Sequence, residues 1–261
     1  MGLVAIVAAA GGCASVASAP TQQPSPRQSR PLVVGMAADS PPFAFRREDQ
    51  LVGLEVDLAR RVGDVLKSTV DVQTMRWDAL VPALLAGRID VIMSGMTITA
   101  LREVRVAFTD PYLQSGLLAL MRRADQSQFN SPAAIKQTTR PIGVVKNTTS
   151  ETWATQNCPV ANVLFYPTIG DAVTELGQRK LGVVIGDAPI VVWMASRTSE
   201  LVVLQKMLDR EQIGWATRRE DSGLRQALND ALARMKADGS LAQIVDLWIP
   251  FWKKLEVAGE S

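Results

Sequence analysis

From Pro31 onward the chain alternates short apolar runs with amphipathic stretches. PLVVGMAA, VDVQTM and IDVIMSG are rich in β-branched residues and read as strands. Between them, LEVDLARRVGDVLK and WDALVPALLAGR carry apolar residues at helical spacing. Leu54, Leu58, Val62 and Leu66 form one stripe, with Asp57, Arg60, Arg61 and Asp64 mostly opposite it. That helix is expected to pack on a sheet as scaffold. The alternation predicts an α/β fold with largely parallel strands.

A second apolar strand, LLALM at 117–121, runs into the polar stretch RRADQSQFNSP, after which PIGVVK starts a fresh β-α series. This reads as a crossing between domains. LLAGRIDVIMSG at 84–95 and LGQRKLGVVIGD at 176–187 share a helix end, basic turn, buried strand and polar terminus, 92 residues apart. The chain therefore contains two similar halves. A strand is expected over Ile213–Glu220, then two amphipathic helices broken at Asp238-Gly239-Ser240, with no further domain.

The first ten residues, MGLVAIVAAA, are apolar but too short for a membrane span, and Gly11, Gly12 and Cys13 follow. They read as a secretory leader; AGGC resembles a bacterial lipobox, which makes Cys13 the candidate lipidation site of a membrane-anchored protein, or else ordinary cleavage after one of the small residues between Ala14 and Ala19 gives a soluble exported one, and either way the fold is expected outside the cytoplasm. Ala14 to Pro31 is rich in Ser, Pro, Gln and Ala and has the composition of a tether. With Cys13 lipidated or removed, Cys158 has no partner, so no disulfide framework is expected.

The 261 residues include 28 basic and 26 acidic side chains and no histidine. Without histidine, a Ser/His/Asp triad, a Cys/His dyad and a His-ligated zinc are excluded. Arg27 and Arg30 account for the whole charge imbalance, so the rest of the chain is formally neutral. That balance argues against a nucleic-acid partner.

In open parallel sheets ligands bind beyond the carboxyl ends of strands. Three such places carry candidate chemistry. After IDVIM come Ser94, Gly95, Met96 and Thr97, then Thr99 and a helix beginning near Ala100 with Arg102 in its first turn. Such a turn offers N–H groups and a guanidinium to an anion, or else Thr99 caps the helix and Arg102 points to water. GVVKNTTSE places Thr148 and Glu151 at capping-box spacing, with the N–H groups of Thr149 and Ser150 left for a ligand. In LGVVIGDAPI, Asp187 ends a buried strand and either receives a ligand ammonium or caps the helix starting at Pro189. Asp187 stands in the second half where Gly95 stands in the first. A cationic and an anionic terminus facing one another suit a zwitterion. Trp77 is a candidate wall of the cleft, or plain core.

Over residues 32 to 249 these strings resemble the bacterial extracellular solute-binding proteins for polar amino acids, family 3, the receptors of ABC importers. The resemblance rests on SPPFAF with LVGLEVDLA, WDALVPALLAGRIDVIMSGMTITALRE, FTDPYLQSG, GVVKNTTSE and LRQALNDALARMKADGSLAQIVDLW. It implies a two-lobed periplasmic-binding-protein-like fold of type II, α/β, joined by two hinge strands. Residues 31–114 plus 213–261 would form lobe 1 and 115–212 lobe 2, behind a leader and linker at 1–30. By position, Arg102 would hold an α-carboxylate with Thr97 and Thr149, Gly95 would offer its backbone, Asp187 would anchor the α-ammonium, and Trp77 would line the side-chain pocket. Ser94 and Ser40 complete the candidate set. Ser40 stands where the family has a stacking aromatic and Ala37 where it has a side-chain-binding aspartate; both departures point toward a neutral or atypical ligand.

The implied function is a monomeric receptor, without metal or cofactor, that closes on an amino-acid-like ligand and delivers it to an inner-membrane ABC permease. Two alternatives are a cyclohexadienyl (prephenate or arogenate) dehydratase-like enzyme, for which the sequence shows no convincing extra general acid, and an envelope sensor lipoprotein using the same cleft.

Overall fold

The computed structural model describes residues 1–2 and 30–251. Cys13 and the leader beyond Gly2 therefore lie outside the described residues, as does the end of the segment assigned to lobe 1. The first β-α series is β1 (Leu32–Met36), the small antiparallel sheet β2 (Asp39–Ser40), β3 (Ala44–Arg47) and β4 (Gln50–Val52), then α1 (Leu54–Leu66), β5 (Val70–Thr74), α2 (Leu80–Leu85) and β6 (Val91–Ile92). Next come the one-turn helix α3 (Ala100–Glu103), β7 (Ala107–Phe108) and the long β8 (Leu113–Arg122). The second series runs α4 (Pro132–Lys136), β9 (Ile142–Val145), α5 (Thr149–Asn157), β10 (Val163–Tyr166), α6 (Ile169–Gly177), β11 (Val183–Asp187) and α7 (Ala188–Ser196). The chain ends with β12 (Leu201–Val203), β13 (Asp209–Ile213), β14 (Ala216–Thr217), α8 (Ser222–Ala237) and α9 (Ser240–Trp248).

Two main sheets result, one in each lobe. The first has the order β5-β1-β6-β14-β7, with β1 parallel to β5 and β6; the second has the order β10-β9-β11-β8-β12. In the second, β9 runs parallel to β10 and β11, while β8 runs antiparallel to β11 and β12. The chain leaves the first sheet along β8 and returns along β13, which pairs antiparallel to β8 from Asp209 opposite Leu117 to Ile213 opposite Leu113. The two strands approach so closely that a Cβ on Gly116 would lie 2.2 Å from the Asp209 carbonyl oxygen. The strand expected over 213–220 is two pieces instead. Gly214 and Trp215 interrupt it, so β13 stays with the second sheet's β8 while β14 joins the first sheet. The helix expected from Trp77 opens as a 3-10 turn, Trp77–Ala79, and its α-helical part is one and a half turns.

The 92-residue repeat is built into the hydrogen bonding. In the first sheet's unit, Nη1 of Arg218 donates to the carbonyls of Leu84 and Ile89 at 3.2 and 2.7 Å. In the second, Nη1 of Arg122 donates to those of Leu176 and Leu181, each 92 residues further on. Each arginine also pairs with the aspartate three residues later, Asp221 and Asp125 respectively. Both guanidiniums thus tie the end of a helix to the start of the strand that follows it. The carbonyls at such a helix end have no partner inside the helix.

Helix α1 is more than scaffold. Its outward polar positions behave as the pattern predicts, but Glu55 in its first turn is completely buried. The Gly95 N–H and the Tyr112 hydroxyl donate to Glu55 Oε1 at 2.7 and 2.6 Å, and the Trp215 indole donates to Oε2 at 3.0 Å. Burial pushes the Glu55 carboxyl above its usual range, while these three donors oppose the shift. Glu55→Ala would leave the three donors without a partner. A buried group stranded in this way costs about 1–3 kcal/mol, so the variant should lose about 3 kcal/mol or more of unfolding free energy in urea melts, with Glu55→Gln losing less.

Candidate functional site

The polar ends of the strands from the two sheets meet around an enclosed cavity of about 50 Å³. Ser40, Trp77, Ser94, Gly95, Thr97 and Arg102 from the first lobe line it, together with Thr149 and Asp187 from the second. Asp39 lines it as well. At roughly 10–15 Å³ for each water-sized sphere, this holds only a few such spheres. A larger open groove of about 1230 Å³ lies beyond Trp77 and Arg102 and reaches Trp153, Leu208 and Glu211. The Trp77 indole donates to the Asn147 carbonyl across the cleft at 3.1 Å, and the Arg102 guanidinium stacks 5.4 Å from the Trp77 ring. Both residues line the cavity and the groove alike.

Arg102 is held from its own lobe. The Thr99 hydroxyl accepts the Arg102 backbone N–H at 3.2 Å, so Thr99 caps α3 as the pattern allows. The side chain does not point to water. Its Nη1 donates to the Thr97 carbonyl at 2.7 Å and its Nη2 reaches Asn147 O of the other lobe at 3.4 Å. Burial lowers the pKa of this guanidinium, and the negative charges of Asp187 and Glu211 oppose that.

Asp187 stands at the N-cap position of α7, yet its side chain makes no capping bond. Its Oδ1 is buried without a donor. The group it faces is a second carboxyl, that of Glu211 on β13, and two carboxyls form a hydrogen bond only when one is protonated. Burial first, then the Glu211 charge, raises the Asp187 pKa to about 8, against the pull of Arg102. Glu211 is also raised by burial, opposed by hydrogen bonds from the Thr149 and Thr97 hydroxyls, the latter at 3.2 Å.

Other candidates are already committed to neighbours. The Gly95 N–H is taken by Glu55, so only its carbonyl is left for a ligand. Gly95 itself is required, because its φ is +65° and a Cβ would lie 2.8 Å from the Phe43 ring. Ser94 Oγ accepts the Ala37 N–H at 2.9 Å and pins the end of β1. The Ser40 hydroxyl donates to Asp39 at 3.3 Å. The expected capping box at α5 is rearranged. The Thr148 hydroxyl donates to the Val145 carbonyl instead of capping, and Glu151 accepts from the N–H of Asn147, one residue before the cap. Asn147 adopts the left-handed conformation, φ +62°.

Sequence reasoning missed Glu55, Asp39 and Glu211. Position 37 is Ala, as read, but the cavity receives its acids from other places. Asp39, two residues on, lines it, and Glu211, 114 residues from Thr97 along the chain, accepts the Thr97 hydroxyl and lines the adjoining groove.

Comparison with known proteins places this geometry. The family model for bacterial extracellular solute-binding proteins, family 3, matches residues 32–251. The L-cystine-binding protein TcyJ of Escherichia coli K12 is 28% identical over 219 residues, covering 83% of this chain and 82% of that protein. ABC transporter arginine-binding protein 1 of the same organism is 28% identical, covering 83% of this chain and 89% of that protein. The crystal structure of the ancestral amino acid-binding protein AncCDT-1, a precursor of cyclohexadienyl dehydratase, superposes with a TM-score of 0.78. It is 30% identical and covers 83% of this chain and 94% of that one.

The Asp187 carboxyl gives the protein's stability a pH dependence. Its folded pKa of about 8 lies above the unfolded value of about 3.9, so the folded state holds the proton more tightly. The stability this contributes is complete below about pH 4, declines across the window between, and is gone above about pH 8. Asp187→Asn should flatten the decline in melting temperature between pH 5 and 8; an unchanged slope would show that the carboxyl is solvated.

Proposed function

Since the chain belongs to the bacterial extracellular solute-binding proteins, family 3, we propose that it is an extracytoplasmic, non-catalytic receptor that closes on an amino-acid-like ligand and hands it to an ABC permease. The carrying observation is the cavity itself. A guanidinium from one lobe and an unsatisfied carboxyl from the other converge on it. Arg102, with the hydroxyls of Thr97 and Thr149, takes the ligand carboxylate, and Asp187 takes the ammonium.

Among the described residues the lobes comprise 31–114 plus 213–251 and 115–212, joined through β8 and β13. A ligand bridging Arg102 and Asp187 touches both lobes only when they are shut, so its contacts favour the closed state. Trp77 closes one side of the cavity, and Ser40, Ser94 and the Gly95 carbonyl line the rest. The receptor works as a monomer tethered through a lipid on Cys13, with no metal or cofactor.

One observation favours a second reading. A buried carboxyl that keeps its proton near neutral pH is the equipment of a general acid, and AncCDT-1 is a precursor of cyclohexadienyl dehydratase. Incubation with prephenate and arogenate separates the two: a receptor yields no aromatic product.

For the receptor, a thermal-shift panel of the common amino acids should identify a ligand that raises the melting temperature. Arg102→Ala should weaken that ligand by about 100-fold, the scale of losing one partner of a buried charge pair. Full affinity in the variant would remove Arg102 from the site.

A further inference from the structure

We propose that Phe45 and Trp193 form an aromatic latch between the lobes, a positioning pair that favours the shut cleft and so strengthens binding without touching the ligand. This rests on the two-lobed receptor reading and deepens it.

The two rings come from opposite sides of the hinge. Phe45 lies on β3 of lobe 1, in the small sheet β2-β3-β4, which is separate from both main sheets. Trp193 lies on α7 of lobe 2. Their ring centroids are 5.3 Å apart and their planes are inclined by 57°. Tilted aromatic pairs at this separation attract one another beyond the area they bury. Phe45 stands opposite Asp39 in the β2–β3 pairing, and α7 begins directly after Asp187. Asp39 and Asp187 line the cavity, whereas Phe45 and Trp193 line neither the cavity nor the groove. The latch therefore neighbours the site on the elements that build it, yet stands outside it.

The lobe 1 half of the contact is prepared in advance. Trp248 of α9 packs edge-on against Phe45, with centroids 5.8 Å apart and planes at 89°. Its indole N–H donates to Asp57 Oδ2 on α1 at 2.8 Å, which fixes the ring. The Arg47 guanidinium covers both rings, 5.4 Å from Phe45 and 5.7 Å from Trp248. All four residues belong to lobe 1, so this seat stays assembled when the lobes part. Only Trp193 leaves it, with Arg197 stacked 5.9 Å from its ring. A seat that is already ordered costs little entropy to fill. Phe45 and Trp193 are both half-buried, so parting the lobes also returns ring surface to water.

The other contact across the cleft works differently. Trp77 and Arg102 reach the Asn147 carbonyl, but both also line the cavity, so removing either changes ligand contacts together with closure. Phe45 and Trp193 act on closure alone. When the form that grips the ligand is a fraction of the population, apparent affinity scales with that fraction. The latch raises it for every ligand alike.

The test is a double-mutant cycle on the protein with no ligand added: wild type, Phe45→Leu, Trp193→Leu and the double variant, with Trp193→Phe as the conservative exchange. Leucine keeps apolar bulk on β3 and α7, and circular dichroism checks that each variant is folded. Spin labels on Arg88→Cys in lobe 1 and Gln178→Cys in lobe 2, both exposed positions, report the distance between lobes by pulsed electron resonance. The labelled chain carries Cys13→Ser, and Cys158, 2% exposed, escapes the label. The expected result is a shut-to-open ratio about two- to tenfold lower in each leucine variant, the scale of one aromatic pair. The double variant should lose no more than either single one, and Trp193→Phe should keep most of the wild-type ratio.

A ratio that neither leucine variant changes overturns the inference. Losses that add in the double variant overturn it too, because they mark two independent effects. So does a Trp193→Phe ratio as low as that of Trp193→Leu. No ligand enters the measurement, so a failed latch leaves the receptor reading standing, and a thermal-shift panel without a hit leaves the latch to be decided by the distances.

Discussion

One buried carboxylate ties together the parts that must stay in register for the cleft to work. Glu55 receives the N–H of Gly95 from the site loop, the hydroxyl of Tyr112 just before β8, and the indole of Trp215 just after β13. These partners lie 40, 57 and 160 residues away along the chain. A single side chain on α1 therefore sets the position of the ligand loop relative to both strands that cross between the lobes. A carboxylate suits this role because its two oxygens can accept several donors at once, and donors compensate the cost of burying it. A hydrocarbon in its place would fill the volume but would leave the crossings free to slide against the loop.

Around that anchor the molecule is built twice. Arg122 and Arg218 perform the same task in equivalent places, each closing a helix end onto the next strand and each paired with an aspartate three residues on. Site chemistry arises where the copies diverge. At the end of the repeated strand one copy has Gly95, whose left-handed backbone lets Phe43 pack against it. The other has Asp187, with a side chain that reaches the cavity. The scaffold is duplicated, and divergence at one position turns two like strand ends into an unlike pair.

Much of this was legible in the residues. The alternation of strand and helix, the 92-residue repeat, the helix break at Asp238–Ser240 and the cluster at 94–102 depend on local patterns that one sequence displays. The rest depends on contacts that no local pattern encodes. Glu55 reads as an ordinary acid in a first helical turn, where the helix dipole favours it, and only the fold shows that it points inward. Glu211 lies in DREQI, four polar residues in a row before Ile213, which reads as an exposed segment. The break at Gly214–Trp215 was hidden because IGWAT is apolar throughout, and the change of sheet is a matter of which partner strand is available. The repeated R-R-x-D at 122–125 and 218–221 was readable in principle, but its meaning lies in carbonyls more than fifty residues away.

The electrostatics of the cavity follow from its size. In a space of about 50 Å³ little water remains to screen charge, and the effective dielectric falls well below that of the bulk. In the open state Arg102, Asp187 and Glu211 would be solvated and nearly independent. Burial shifts the three together, the two carboxyls upward and the guanidinium downward in pKa. Shutting the cleft empty therefore has a cost that shutting it around a matching ligand does not. In the proposed receptor that difference would couple occupancy to closure. It requires the charges to sit on both sides of the hinge: placed on one lobe, the same groups would bind a ligand equally well open or closed and would move nothing.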